Sequence, residues 1–517
     1  VCKCGGRLSR HTIASDFSYF VFITQFLIQQ HSLLRFYLII MSGTVEKRDG
    51  AVSDSSISKK QADSSQDNSV MGNEIYGEIT EYDENLSRAD LEKQKTAQGE
   101  AHFSRLGWKR LTIILIVEAI ALGSLSLPKA FANLGMVAGT IVSVGLGLLA
   151  IYTSDVVGQV KIKFPEAAHY ADAGRLIAGR FGYEVIGAMF VLQLIFLVGS
   201  HCLTGTIAFG NIIDITKTGT CSLVFGGVSA IILLILAIPP SFAEVAILGY
   251  IDFVSIVLAI GITIIATGVQ ASKSPGLHNV PWSAWPKEDL SFADAFISVT
   301  NIVFAYSFSI CQFSFMDEMH TPTDYKKSIW ALGLIEISIY SLTGALIYAF
   351  VGPDVKSPAL LSAGDTVSRI AFGVALPVIF ISGSINTTVV GRYIHGRVYK
   401  NSVTRYINTP KGWATWLFLV FAVTVLAFII AESIPFFSDL LSISSSLFVS
   451  GFTYYFPPIM WVMLIKEGPV WAPHNRVKAL LNLLAFVVGL VVLVGGTYSS
   501  IVDIVSKFEL QPDEDKR

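Results

Sequence analysis

Charge is scarce in this chain. Only 15% of its 517 residues are Asp, Glu, Lys or Arg, against about 25% in an ordinary soluble domain. The shortage is uneven, because residues 42–110 are polar and charge-rich and leave the remainder more apolar still. One large soluble enzyme is excluded on that ground. A basic excess is missing too. The formal net charge is −2, so no positive surface exists to neutralise phosphates, and a nucleic-acid partner is excluded. Cysteine is sparse, at five residues. Cys2 and Cys4 form a lone C-x-C without a downstream Cys or His at ligand spacing, so no metal site is expected. Cys202 and Cys221 flank a short loop, where a disulfide and two thiols both stay open, buried thiols being the commoner form. No G-x-S-x-G elbow, H-E-x-x-H helix or Walker loop occurs, so those catalytic classes lack their motifs. What abounds is apolar. Hydrophobic residues make up 52% of the chain, and 34 Phe, 18 Tyr and 8 Trp are too many for a disordered one. A polytopic membrane protein remains.

The N-terminal part differs from the rest. Within residues 1–40, apolar stretches are interrupted by Gln29, Gln30, His31 and Arg35, unlike the clean core of a signal peptide. Met41 then opens an ordinary polar N-terminus. Residues 1–40 therefore read as a non-functional extension, with an additional membrane anchor as the alternative. Residues 41–105 are rich in Ser, Asp, Glu, Lys and Gln without hydrophobic periodicity, which predicts a disordered cytosolic tail. Residues 506–517 read as a C-terminal tail.

Between them, residues 106–505 carry apolar runs long enough to cross a bilayer. About eleven spans are expected, at 111–134, 136–160, 185–208, 222–238, 245–269, 294–316, 329–351, 368–391, 413–431, 439–465 and 479–503. Several are apolar on all faces, which no surface helix of a soluble fold tolerates. Lipid offers backbone groups no partners, so the spans must be helices, and the alternating strands of a β-barrel are absent. The connections alternate in charge. One set holds Lys161, Lys163, Arg175, Lys326, Arg397, Lys411 and Arg476, and the other only Lys217, Lys273, Lys287 and Lys356 near the spans. Basic connections stay cytosolic, which puts the N-terminus inside and the C-terminus outside.

A chain of membrane helices without a catalytic cluster moves or senses something, and the informative residues are those costly to place in lipid. In the first span, Gly123 and Pro128 interrupt an apolar frame that also carries Ser124 and Ser126. Two readings stand: a kink that helps packing, or a broken helix whose freed backbone groups hold a small zwitterion. The sixth span carries Asn301, Ser307, Ser309, Gln312 and Ser314 with no Gly or Pro in its middle, so composition does not predict a break there. Its position is informative. The sixth span repeats the place of the first if the chain is built from two halves of five helices each, and matching irregular helices mark a transporter site.

These residues resemble a known family. The stretch LGSLSLPKAFANLG (122–135) is similar to the first-helix signature of the amino acid/auxin permeases. FAYSFSICQFSFMDEMHTPTDYKKSI (304–329) resembles their sixth-helix pattern, and SDLLSISSSLFVSGFTYYFPPIMW (438–461) their tenth-helix region. The flavour is nearest to the fungal neutral amino acid permeases. The resemblance implies an all-α polytopic membrane protein of eleven helices, with the five-plus-five inverted repeat of the LeuT-like amino acid–polyamine–cation transporters plus one helix. It makes 106–505 a transporter domain and implies coupled uptake of amino acids, with no enzyme activity and no cofactor. Carried over by position, substrate contacts fall at Ala121, Leu122, Gly123 and Ser124, and at Phe304, Ala305, Tyr306 and Ser307. The family often has Gly where Ala121 stands, and Gly-His where Phe308 and Ser309 stand.

For the coupling ion, H+ is preferred to Na+. Glu118 lies one turn before Ala121 and Leu122 on the same face, and Asp252 lies in the fifth span; both are candidates to take up and release a proton. Ser382, Ser384, Asn386 and Thr387 of the eighth span offer oxygens to sodium or serve as packing glue. Asp317 and Glu318, near Lys326 and Lys327, are candidates for an inner gate. His201 and Gln193 share a helical face. Trp282 and Trp285 lie in a Pro-flanked outer loop that is either a gate or an interfacial anchor. The expected function is proton-coupled symport of neutral amino acids across the plasma membrane. The alternatives are a vacuolar exporter of the same fold and, from another class, a polytopic receptor or enzyme.

Overall fold

The computed structural model describes residues 107–510, apart from 215–218, 241, 275, 318, 400–401, 403, 405–406 and 408, and apart from the side chains of 114, 117–118, 121, 242–248 and 510. The expected extension 1–40 and tail 41–105 lie outside the described residues.

The described chain is helical. In order come α1 (Trp108–Leu134), α2 (Met136–Lys163), α3 (Tyr170–Ile213), α4 (Ser222–Leu236), α5 (Phe242–Lys273), α6 (Phe292–Ala305), α7 (Gln312–Asp317), α8 (Tyr325–Val351), α9 (Asp365–Val398) and α10 (Pro410–Ser433). Two further helical stretches close the chain, α11 (Phe437–Ile465) and α12 (Arg476–Glu509). Each expected span meets one of these, with α6 and α7 sharing the sixth. Eight helices among the described residues are long and apolar enough to cross a membrane, and α4 and α6 are shorter apolar ones. The large exposed side chains show what solvent the surface suits: Phe418 and Ile265 are each 68% exposed and Leu480 62%. An apolar exterior of that kind belongs in lipid.

Local chemistry sets the boundaries. Ser291 caps α6 by accepting from the Asp294 amide at 3.0 Å. Thr409 does the same for α10 through Gly412, with Pro410 in the first turn. At 44 residues, α3 is far longer than a bilayer is thick. It is divided at Ala178 and Gly179, where Gly179 takes φ +61°, a conformation that suits glycine. The expected span 185–208 lies wholly beyond that division. The last helix runs through Lys507 into the stretch read as a tail. Lys507 reaches both oxygens of the buried Asp439 on α11, at 2.7 and 2.9 Å, and Asp503 at 2.7 Å.

Inside the bundle, α1 packs against α6, α8 and α5, while α9 packs on α3 and α5. Polar groups in the interior satisfy themselves locally. Ser200, Thr204, Thr263, Thr387 and Thr388 each donate to the carbonyl four residues back, the usual device for carrying hydroxyls in apolar surroundings. The loop holding the two tryptophans is fixed. Ser283 O and Ala284 O accept from Met136 and Val137, and the Ser283 amide donates to Tyr348 Oη at 2.9 Å. Trp282 and Trp285 stay more than half exposed.

Candidate functional site

The centre of the bundle is the crossing of α1 and α6. A Cβ at Gly123 would stand 2.9 Å from both Cα and Cβ of Ala305 and 3.0 Å from Tyr340 Oη. The absence of a side chain is what lets the two backbones meet. Tyr340 of α8 seals the contact. Its hydroxyl lies 2.8 Å from Ala119 O and 3.1 Å from Ala305 O, so one proton serves both helices.

The expected break at Ala121–Ser124 is a correction: α1 is continuously helical from Trp108 to Leu134, with Pro128 inside it. Within it, Ser124 Oγ donates to Ile120 O at 2.7 Å and Ser126 Oγ to Gly123 O at 3.0 Å, so both hydroxyls are spent on the helix's own carbonyls. Pro128 has no N–H to offer the carbonyl four residues back, that of Ser124. Gly123 is therefore a point of close approach, not of unwinding.

The sixth span is the one that breaks. Phe304 and Ala305 end α6, and Tyr306 to Cys311 are non-helical before α7 begins at Gln312. All of these residues are buried. Among the described residues, the amides of Ser307, Phe308 and Ser309 find no backbone acceptor, and the Phe304 carbonyl receives no backbone amide. Side chains hold the gap open. Tyr306 Oη and Ser143 Oγ of α2 are 3.1 Å apart. Ser309 Oγ donates to Thr453 at 3.1 Å, and Gln312 makes a double contact with Ser154, through its Oε1 and, at 2.9 Å, its Nε2. The Tyr306 and Tyr340 rings meet edge to face at 5.3 Å. Glu336, one turn before Tyr340, is fully buried and within electrostatic reach of the Tyr306 and Tyr454 hydroxyls. Removing the Tyr340 hydroxyl is expected to cost about 1–3 kcal/mol, because the end of α6 loses its donor. Tyr340→Phe should show a lowered thermal midpoint in detergent; an unchanged midpoint would deny the clamp.

The structure thus brings Leu122, Gly123, Ser124, Phe304, Ala305, Tyr306 and Ser307 to one buried region, at the α1–α6 crossing and the gap below it. The helical backbone also places Ala121 and Glu118 on α1, while their side chains lie outside the described residues. Asp252 stands apart on α5. It is fully buried, and neither oxygen has a hydrogen-bond partner among the described residues. Glu318 lies outside the described residues. Asp317 pairs with Lys161 of α2 at 2.6 Å, while Lys326 pairs with Asp155 and Lys327 with Asp324. Lys161 is 4% exposed and spends all three protons, on Asp317 and on the carbonyls of Pro165 and Ala167 at 2.9 Å each. Read from the chain alone, Lys161 was a mark of orientation. Its partner lies 156 residues away, so no local pattern announces the pair.

Other expected groupings resolve differently. His201 and Gln193 share a buried face but turn to different helices, Ser382 of α9 and Ser444 of α11. Ser384, Asn386 and Thr387 donate to carbonyls of α9 itself. The Cys202 thiol is intact and donates to Gly226 O at 3.7 Å.

The sequence pattern described as transmembrane amino acid transporter protein matches residues 104–502. The chain belongs to this transporter family. An N amino acid transport system protein of Neurospora crassa is 64% identical over 421 residues, covering 81% of this chain and 89% of that one. Amino acid permease 2 of Arabidopsis thaliana is 24% identical over 439 residues, covering 75% and 87%. Among solved structures, MhsT in complex with L-phenylalanine superimposes with a TM-score of 0.50 at 12% identity, over 75% of this transporter and 98% of that chain. Mhp1, a nucleobase-cation-symport-1 family transporter, does so with a TM-score of 0.50 at 13% identity, over 79% and 93%. The transporter therefore has the LeuT-like fold and is an integral membrane protein that carries amino acids, not an enzyme.

Proposed function

We propose that this transporter moves neutral amino acids inward across the plasma membrane together with protons, by alternating access. The observation that carries the reading is the gap in the sixth span, buried and placed against the one point where α1 lacks a side chain. A zwitterion fits that chemistry. Its carboxylate meets the bare amides of Ser307, Phe308 and Ser309, and its ammonium meets the Phe304 carbonyl. Leu122, Gly123 and Tyr306 bound the space left for the side chain. The ion pair Lys161–Asp317 closes the inner face while the substrate binds. The name of the Neurospora crassa relative supports the substrate class. Proton coupling is supported by Asp252, a buried carboxyl group whose oxygens have no hydrogen-bond partner among the described residues; Glu118 is the second candidate.

Uptake of single radiolabelled amino acids decides the matter, run in acidic and neutral medium, with and without sodium. The expected result is saturable uptake of neutral amino acids that rises in acid, ignores sodium and carries an inward current. Uptake driven by sodium, or export confined to the vacuolar membrane, would reverse the reading.

A further inference from the structure

Four residues of the chain, Ser274, Thr321, Ser357 and Thr409, precede a proline, the setting in which proline-directed protein kinases modify a hydroxyl. Two of them belong to the end of the bundle that holds the Lys161–Asp317 pair. Thr321 comes four residues after Asp317, and Thr409 lies in the connection from α9 to α10. Their hydroxyls are in opposite states. Thr409 Oγ1 is built into the fold, accepting from the Gly412 amide at 3.1 Å and donating to Thr404 Oγ1 at 3.4 Å. Thr321 is exposed, and among the described residues its hydroxyl meets only the ring of its neighbour, His320 Nδ1, at 3.3 Å. Its backbone is extended, with φ −129° and ψ 89°, as a residue before proline prefers. Pro322 and Thr323 are exposed as well, so a kinase cleft can take this segment without unfolding a helix.

The segment around Thr321 is pinned to α2 on both sides. Before it, Asp317 at the end of α7 pairs with Lys161 at 2.6 Å. After it, in the first turn of α8, Tyr325 Oη donates to the Asp155 carboxylate at 3.1 Å, and Lys326 pairs with the same oxygen at 3.4 Å. Because α7 is the far half of the broken sixth span, these pins set how freely that half moves against α2. Thr321 stands midway, four residues from Asp317 and four from Tyr325. The Lys326 pin is the loose one. Its side chain is 57% exposed and makes a single long contact, which is a weak form of ion pair. Lys327 beside it is as exposed and pairs with Asp324 at 2.8 Å.

We propose that Thr321 is a phosphorylation site through which a proline-directed kinase slows uptake. The γ-phosphoryl group of ATP passes to Thr321 Oγ1. A new P–O bond forms there, the bond to ADP breaks, and the hydroxyl proton goes to the base of the kinase. The product carries nearly two negative charges and three strong acceptor oxygens. Lys326, five residues on, exchanges its long contact with Asp155 for a charge-assisted bond to the phosphate. Asp155 then keeps Tyr325 alone, and the closed arrangement of this end is less populated. Uptake needs that arrangement each time the opposite end opens. The proposal rests on the transport reading above, which places this end in the cytosol with the kinase and its ATP.

The purified full chain is treated in detergent with a proline-directed kinase and ATP, mapped by mass spectrometry, and assayed for neutral amino acid uptake in proteoliposomes. Phosphate is expected on Thr321 and not on Thr409, with uptake lowered roughly threefold, the scale of one exposed ion pair. Thr321→Ala should transport like the untreated wild type and ignore the treatment. Lys326→Gln should take the phosphate yet transport at the same reduced rate before and after it, because its pin is already gone. Kinase and ATP added to intact expressing cells should leave Thr321 unlabelled and reach it once the cells are permeabilised. No phosphate on Thr321, equal phosphate on Thr409, or complete phosphorylation without a change in uptake overturns the regulatory site alone. Labelling of Thr321 in intact cells, or a wild type that transports no neutral amino acid, overturns the transport reading and the regulatory site with it.

Discussion

Gly123→Val should abolish transport while the protein still reaches the membrane. The reason is geometric. Any Cβ at this position meets both Cα and Cβ of Ala305 at 2.9 Å, atoms fixed by the backbone that no rotamer change can turn away. The valine forces α1 and α6 apart by roughly an ångström, and a displacement of that size at a binding site costs about 100-fold in rate. Overpacking of a tight contact adds about 1–3 kcal/mol of destabilisation, which a membrane protein of this size survives. Gly123→Ala should fall between the two. Gly145→Ala is the control, since a Cβ there meets nothing within 4 Å, and its uptake should match wild type. Initial rates normalised to surface protein give the answer. A valine variant with wild-type uptake would remove the α1–α6 crossing from the site.

Asp252→Asn should uncouple uptake from the proton gradient. The carboxyl group is fully buried and its oxygens have no hydrogen-bond partner among the described residues. A lone charge in such a place is costly, and under the proposed coupling the group would alternate between a protonated form and one that meets a cation. Asparagine keeps the size and abolishes the alternation. The variant is expected to exchange labelled for unlabelled amino acid across the membrane, yet to lose the rise of net uptake in acid and the accompanying current. Asp252→Glu should retain both in part. If the Asn variant keeps its full acid stimulation and Glu118→Gln loses it, the proton travels with α1 instead.

Long apolar runs made most of the fold readable, because the bilayer imposes helix on any segment it covers and charged connections betray its faces. The site was readable only in outline. Gly123 and Pro128 look like a broken helix, but α1 runs through both, and Gly123 serves the close approach to Ala305 instead of a turn. The gap at Tyr306–Cys311 has the opposite character. It contains neither Gly nor Pro, and it is stabilised from outside by Tyr340, Ser143, Ser154 and Thr453, which come from three other helices. Only the family resemblance pointed to it. Lys161 and Asp317 gain their meaning from each other across 156 residues, and no short window along the chain contains both.

The way Lys161 is anchored bears on how this end of the bundle tolerates change. Two of its three acceptors are main-chain carbonyls, of Pro165 and Ala167. Every residue type offers that same oxygen. Exposed positions 165 and 166 can therefore drift freely over evolutionary time without disturbing the ion pair, whereas the lysine itself has no substitute that could satisfy three oxygens from one buried atom.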